Sequence, residues 1–218
     1  MPQLFETRAN AIARGTLIAV PLVVLGGWAA LFAFARSDFW TGVHSPVEQP
    51  VPFSHQHHVA GLGIDCRYCH TSAETSPFAG IPPTETCMTC HSQVWKDAPV
   101  LQPLRNSWQT ATPIKWTRVY DLPDYAYFDH SIHVDKGVAC ATCHGQVNEM
   151  PLTWKTNALY MRWCLDCHRQ PEKFLRPINE VVQMNYHSPP NQYAIGQQLI
   201  LANHVHTAGL EDCYTCHR

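Results

Sequence analysis

Cysteine and histidine recur in one five-residue word, Cys-x-x-Cys-His, which appears five times in 218 residues. The words occupy 66–70, 87–91, 140–144, 164–168 and 213–217. All ten cysteines fall inside them: Cys66, Cys69, Cys87, Cys90, Cys140, Cys143, Cys164, Cys167, Cys213 and Cys216. None is left over for a disulfide. Two thiols at this spacing form thioethers with the two vinyl groups of one haem, and the adjoining histidine reaches the iron. Five words imply five covalently held haems, with His70, His91, His144, His168 and His217 as proximal ligands.

Zinc is the competing chemistry. The gaps from Cys69 to Cys87 and from Cys143 to Cys164 both suit a paired Cys-x-x-Cys zinc ribbon. The fifth word, however, has no partner pair of cysteines. Histidine also follows the second cysteine every time. With 14 His in 218 residues, chance supplies that only roughly once in a million.

An electron-carrying haem also fills the far side of its iron, with His or Met. His55 and His58 form an H-x-x-H before the first word, and His130 and His133 do so before the third. Counting back from the following cysteine puts His206 level with His58 and His133. Side chains three apart on a helix share a face but diverge, so one pair can serve two neighbouring haems. Met150 and Met161 flank the segment between words three and four, and either one is a possible replacement for one of these histidines. His44, His57, His187 and His204 are reserve candidates, for which surface or supporting roles are expected.

These words need a scaffold, and the chain supplies one by repetition. The first unit opens FSHQHHVAGLGIDCRYCH and reaches CMTCH. The second opens FDHSIHVDKGVACATCH and reaches CLDCH. A third, shorter unit reads NHVHTAGLEDCYTCH. The repeats span about 55–128, 129–203 and 204–218. Repetition of this kind yields an array of sites rather than one pocket. Short helices are expected to carry each word, with longer ones over 156–166 and 191–202 and few strands. The stretch 100–123 reads as an extended loop whose Trp108 and Trp116 cover haem faces or a partner.

Ahead of the repeats lie 21 residues without charge, from 15 to 35, long enough to span a bilayer as a helix. The run exceeds a usual signal-peptide core, so an uncleaved anchor is expected. Arg8 and Arg14 favour a cytoplasmic N-terminus, and Phe39 and Trp40 suit the opposite interface. The haem domain then lies on the periplasmic side of a bacterial inner membrane. The expected organisation is an N-terminal segment and transmembrane helix over 1–36, a linker over 37–54 and a pentahaem domain over 55–218. That domain offers about 165 residues, roughly 33 per haem, too few to enclose each in peptide. The haems must themselves be the core. Seventeen prolines and eleven glycines suit a chain wrapped around them. A net charge of −2 gives no argument for nucleic acid. The fold class is a multihaem cytochrome c: one transmembrane helix and a loop-rich domain of mainly short helices around five haems, with little β.

Three stretches carry a resemblance. IPPTETCMTCHSQVW (81–95), LPDYAYFDHSIHV (122–134) and MPLTWKTNALYMRWCLDCHRQPE (150–172) resemble the pentahaem membrane-anchored subunit of bacterial alternative complex III. The likeness covers most of 53–218; the N-terminal helix matches in kind only. It implies one redox subunit of a quinol-oxidising complex, without catalytic residues of its own. The implied partners are an iron–sulfur-containing large subunit, polytopic quinol-binding membrane subunits, a monohaem cytochrome and a downstream acceptor or oxidase. In the small multihaem cytochromes that the H-x-x-H pairs resemble, the first His serves its own unit's haem and the second another. That implies His55 for haem 1 and His130 for haem 3, with His58, His133 and His206 serving other haems. Two other classes compete. One is a stand-alone membrane-anchored quinol dehydrogenase of nitrate and nitrite respiration, where Met typically stands two residues after the first word; this chain has Ser72. The other is a multihaem reductase, often signalled by Lys in place of the word's His, a change absent from all five words.

Overall fold

The computed structural model describes residues 6–217. The first five residues of the expected N-terminal segment lie outside the described residues. The chain divides into two units, one ending at Val43 and the other beginning at His44.

The first unit is dominated by α1 (Thr7–Ala35), 29 residues long with Pro21 inside it. Within 8–35 the most apolar 18 residues have a mean hydropathy of 2.3, and the helix is long and apolar enough to cross a membrane. Its side chains from Leu17 to Phe34 are exposed, as a lipid-facing helix requires. At its end the Arg36 guanidinium lies 3.5 Å from the centre of the Phe32 ring. A single turn, α2 (Asp38–Thr41), follows, and left-handed Gly42 (φ 67°) closes it. There Phe34 packs on Phe39 and Trp40 at 6.0 and 5.4 Å between ring centres.

The second unit is a series of short helices joined by loops. Its first turn is a π-helical turn over Gln56–Gly61, directly after His55. In all five words the Cys-x-x-Cys segment forms a helical turn, which puts both cysteines on one face; His70 and His217 follow just after their turns. They lie on α3 (Cys66–Cys69) and on α4 (Thr84–His91). Between these and the next word come α5 (Gln102–Thr110) and α6 (His130–Asp135). Words three and four follow on α7 (Cys140–His144) and α8 (Met161–Arg169). Then come α9 (Gln192–Ala202) and α10 (Cys213–Cys216), which carries the fifth word. Acidic caps start two of the helices that matter most. Asp65 accepts from the Arg67 backbone N–H at 2.8 Å, and Asp129 from that of Ser131 at 2.9 Å. Among the described residues there is no strand, only the isolated antiparallel bridge between Val138 and Leu175.

Buried apolar side chains are few. Nine are buried among the described residues, too few for a peptide core of this length. The largest cluster is Val51, Leu101 and Leu104, with Met88, Ile114 and Trp116 packed on it. Here the fold departs from the extended loop expected over 100–123. Pro103 in the first turn pre-sets the backbone for α5, and Leu101, Leu104 and Ser107, three apart, form its buried face. Trp116 belongs to this small core, whereas Trp108 is exposed.

Two further boundaries differ from expectation. The helix expected over 156–166 begins at Met161, because Leu159 adopts a left-handed φ of 52° that ends any helical continuity. The stretch 44–54, expected as linker, is woven into the second unit. The His44 N–H donates to the Lys155 carbonyl at 2.8 Å, and that of Val47 to the Thr153 carbonyl at 3.1 Å. This places residues 153–155 beside the segment that leads into His55.

Candidate functional site

The H-x-x-H pairs are held by the turns around them. His55 directly precedes a π-turn, and His130 opens α6. In each pair a phenylalanine two residues ahead wedges the two rings apart. Phe53 meets His55 edge-on at 4.9 Å and stacks on His58 at 4.5 Å. Phe128 does the same to His130 and His133, at 4.8 and 4.4 Å.

Each of these four imidazoles faces one word's histidine. His55 lies opposite His70, with ring centres 6.5 Å apart and planes 12° from parallel. His130 faces His144 at 6.3 Å and 9°. His133 faces His168 at 6.2 Å and 21°. His58 faces His91 at 6.2 Å, with the rings turned by 65°. Two nitrogens each about 2 Å from a shared metal, with each ring centre about 1 Å behind its nitrogen, give a separation of about 6 Å. The four gaps therefore have the width that two axial imidazoles need, and the residues fit the haem iron. His55 and His130 face the words of their own units. His58 and His133 face the second word of each unit.

The nitrogen left for the iron is fixed in most of these rings. A ligating histidine uses its other ring nitrogen as a donor, which sets the tautomer and aims the ring. On the word side, His70 Nδ1 bonds the Gly80 carbonyl at 2.7 Å, His91 that of Val94 at 3.0 Å and His168 that of Leu210 at 2.9 Å. On the facing side, His58 Nδ1 bonds the Ser54 carbonyl at 2.8 Å, His130 that of Pro77 at 2.8 Å and His133 that of Asp129 at 2.6 Å. His55 Nδ1 bonds the Thr153 hydroxyl at 3.0 Å. Each leaves Nε2 free. His144 is oriented by packing, with the Tyr120 ring against it at 4.6 Å and 79°. The Tyr120 hydroxyl accepts from the Thr156 N–H at 2.9 Å and donates to the Cys143 carbonyl at 3.3 Å, which ties that ring to word three.

Electrostatics favour the ligating form. Burial, then the neighbouring His70 and His58, lowers His55 to about 4. Burial, then His130, His70 and His55, lowers His144 to about 4. Burial also pushes His133 down. These imidazoles are neutral at neutral pH, as a metal ligand must be. Burial likewise pushes the Cys143 thiol up to about 12 and the Cys167 thiol up to about 11.

The five words neighbour one another in an order that is not their order in the chain. Word two touches word one through the Tyr68 hydroxyl and Thr89, 3.1 Å apart. Word one meets word three where the Cys66 and Cys140 thiols hydrogen-bond, which lowers the first and raises the second. Word three meets word four, where the Cys167 and Cys164 thiols bear on Cys143. Word four meets word five through the ion pair of Arg169 with Glu211 at 2.7 Å and through the influence of Cys216 on Cys164. The order is two, one, three, four, five. No three His, Cys, Asp or Glu side chains among the described residues converge as a metal cage.

The remaining candidates are placed differently. His217 Nδ1 bonds the Tyr125 carbonyl at 2.9 Å, and its ring lies 5.8 Å from that of Tyr125. His206 is exposed and forms none of the imidazole pairs among the described residues. Met150 is 2% exposed and packed in the interior, whereas Met161 is 59% exposed at the start of α8. His57 stacks on Trp95 at 5.7 Å, and His187 Nδ1 bonds the Asn185 carbonyl at 2.8 Å. The backbone N–H of His44 serves the strap to Lys155, and His204 stands in a left-handed turn. The residues that sequence reasoning missed are the supports: Phe53, Phe128, Tyr120 and Thr153. A phenylalanine two residues before each H-x-x-H was a readable signal, because it recurs in both full repeats.

The words, the imidazole gaps and a helical scaffold with no strand among the described residues mark the multihaem cytochrome c fold class, with one apolar N-terminal helix. Residues 126–218 match the family of cytochrome c7 and related cytochrome c. Over 126 residues, 57% of its length, the chain is 33% identical to the menaquinone reductase multihaem cytochrome c subunit of Nitratidesulfovibrio vulgaris (strain Hildenborough). The match covers 55% of that protein, so the chain spans about half the length of the curated relative it matches.

Proposed function

We propose that this chain is the membrane-anchored electron-transfer subunit of a quinol-oxidising complex of the alternative complex III type, carrying electrons through five covalent haems. When bound, the haems supply reversible one-electron chemistry at iron. The chain's own residues do the rest. The ten cysteines fix the five groups in place. His70, His91, His144, His168 and His217 hold the irons from one side, and His55, His58, His130 and His133 close four of them from the other. The single observation that carries the reading is the set of four imidazole gaps of 6.2–6.5 Å. Set along five neighbouring words, they make a conduit with no group assigned to catalysis. The long apolar helix supports anchoring in a membrane; in this reading that is the bacterial inner membrane, and Arg8 and Arg14 ahead of the helix favour a cytoplasmic N-terminus and a periplasmic second unit. The partners in this reading are the iron–sulfur-containing large subunit, the polytopic quinol-binding subunits and a monohaem cytochrome.

A second reading has the electrons running the other way, into quinone. The similarity to a subunit named for menaquinone reductase favours it.

The test is made on the haem-loaded chain alone and on the membrane complex that co-purifies with it. Alone, the chain should take electrons from dithionite and return them to an oxidant, without turning over quinol. The complex should oxidise a quinol analogue and reduce a cytochrome c or an oxidase. Steady quinol oxidation by the chain alone would instead favour the stand-alone dehydrogenase. Turnover only in the quinone-reducing direction would favour the second reading.

A further inference from the structure

We infer that the crossed imidazoles of His58 and His91 make the iron at word two a better electron acceptor than the iron at word four, so that an electron on the chain settles at the word-two end. The inference rests on the five-haem reading above. The two sites occupy equivalent places in the first and second repeats, so they compare like with like. The histidine of the H-x-x-H pair is held the same way in both. His58 stacks on Phe53 at 4.5 Å and 24°, and His133 stacks on Phe128 at 4.4 Å and 27°. Nδ1 of each bonds the carbonyl four residues earlier, that of Ser54 and that of Asp129.

The difference lies in the word's own histidine. Both gaps are 6.2 Å wide, but the planes of His58 and His91 cross at 65°, whereas those of His133 and His168 lie 21° apart. The pairs at words one and three are closer still to parallel, at 12° and 9°. The carbonyl that aims each ring accounts for the crossing. His168 Nδ1 bonds the Leu210 carbonyl, 42 residues further along in the third unit. His91 Nδ1 bonds the Val94 carbonyl, three residues on. Val94 is placed there by a turn that prolongs α4, its N–H donating to the Cys90 carbonyl at 2.8 Å. An acceptor at the end of the ring's own helix turns it one way, and an acceptor in another unit turns it the other.

The angle between the planes acts on the iron directly. A low-spin ferric iron has one hole in its dπ orbitals. Parallel imidazoles send their π donation into the same orbital and stabilise that hole. Crossed imidazoles divide the donation between two orbitals, which stay close in energy, and the ferric state is stabilised less. Axial ligands and the hydrogen bonds that orient them are the protein's means of setting a haem potential. Word two opens the order of neighbouring words, and words one and three lie between it and word four. An electron at word four therefore runs downhill through words three and one to word two. The iron at word four goes from ferrous to ferric and the iron at word two from ferric to ferrous, so no outside oxidant enters the step.

The test is electron paramagnetic resonance on the haem-loaded full chain during a stepwise reductive titration. Near-parallel pairs give rhombic low-spin signals, whereas a crossed pair gives one strongly anisotropic signal at lower field. The oxidised parent should show that low-field signal. His58→Ala should abolish it and leave the rhombic signals, and His133→Ala should remove a rhombic signal and leave the low-field one. As the parent is reduced, the low-field signal should disappear at a higher potential than the signal that His133→Ala removes. A parent without the low-field signal would overturn the inference before any variant is made. Survival of that signal in His58→Ala would overturn it too, as would the opposite order of reduction. Failure of the five-haem reading itself registers separately, as a haem mass other than five per chain.

Discussion

Replacing His130 with Ala converts one low-spin iron to a high-spin one, and the high-spin signal in electron paramagnetic resonance grows by about one iron per chain. His130 faces His144 at 6.3 Å in the most nearly parallel of the four pairs, and its Nδ1 is anchored to Pro77. Its neighbour His133 cannot take over. It stands opposite His168, with its ring stacked on Phe128 and its own Nδ1 bonded to Asp129. His55→Ala should behave likewise at the first site, since His58 is committed opposite His91 and His57 is stacked on Trp95. His57→Ala is the control and should leave the low-spin signals unchanged. Unaltered low-spin signals in His130→Ala and His55→Ala would remove these imidazoles from the irons.

The second large effect is on stability. Gly196 is buried where α9 crosses the short turn of Pro171–Lys173. A Cβ there would overlap the carbonyl oxygen, carbonyl carbon and Cα of Glu172. These are backbone atoms, so no side chain can swing away. The same crossing is pinned by Gln192 Nε2, which donates to the Leu175 carbonyl at 2.8 Å and the Glu172 carbonyl at 3.2 Å. Gly196→Ala therefore costs about 3 kcal/mol, at the upper end for overpacking. That lowers the melting temperature by about 6–12 °C for a chain of this size. Gly26→Ala is the contrast, because a Cβ at that position of α1 meets nothing within 4 Å. A Gly196→Ala protein that melts with the parent would mean that α9 does not approach this turn so closely.

The chemistry of this protein was more legible in the sequence than its packing. Haem attachment needs residues at fixed short spacings, so the five words and the two H-x-x-H pairs stand out in one dimension. The partners of His55 and His130 were implied by the resemblance to small multihaem cytochromes, not by the repeat alone. The order in which the words neighbour one another was not legible, because contacts such as that between the Cys66 and Cys140 thiols join residues far apart in the chain. Nor was the strap at 44–54, since backbone bonds to residues 153–155 leave no mark on side-chain type. The missed helix α5 is a different case. Leu101, Leu104 and Ser107 carried a helical period behind Pro103, but two tryptophans and several prolines nearby suggested a loop. The start of α8 was misplaced because the left-handed backbone at Leu159 is not a property that leucine announces. His206 keeps the distance from Cys213 that the repeat sets, while the end of α9 gives it a backbone different from that beneath His58 and His133.

The most direct measurement is the intact mass of the purified chain, with its thiols challenged by an alkylating agent. The account requires the peptide mass plus five haems, with all ten cysteines unreactive because each sulfur is already bonded to carbon. A chain that carries zinc without haem, or one with a reactive pair of thiols in any of the five words, would contradict it.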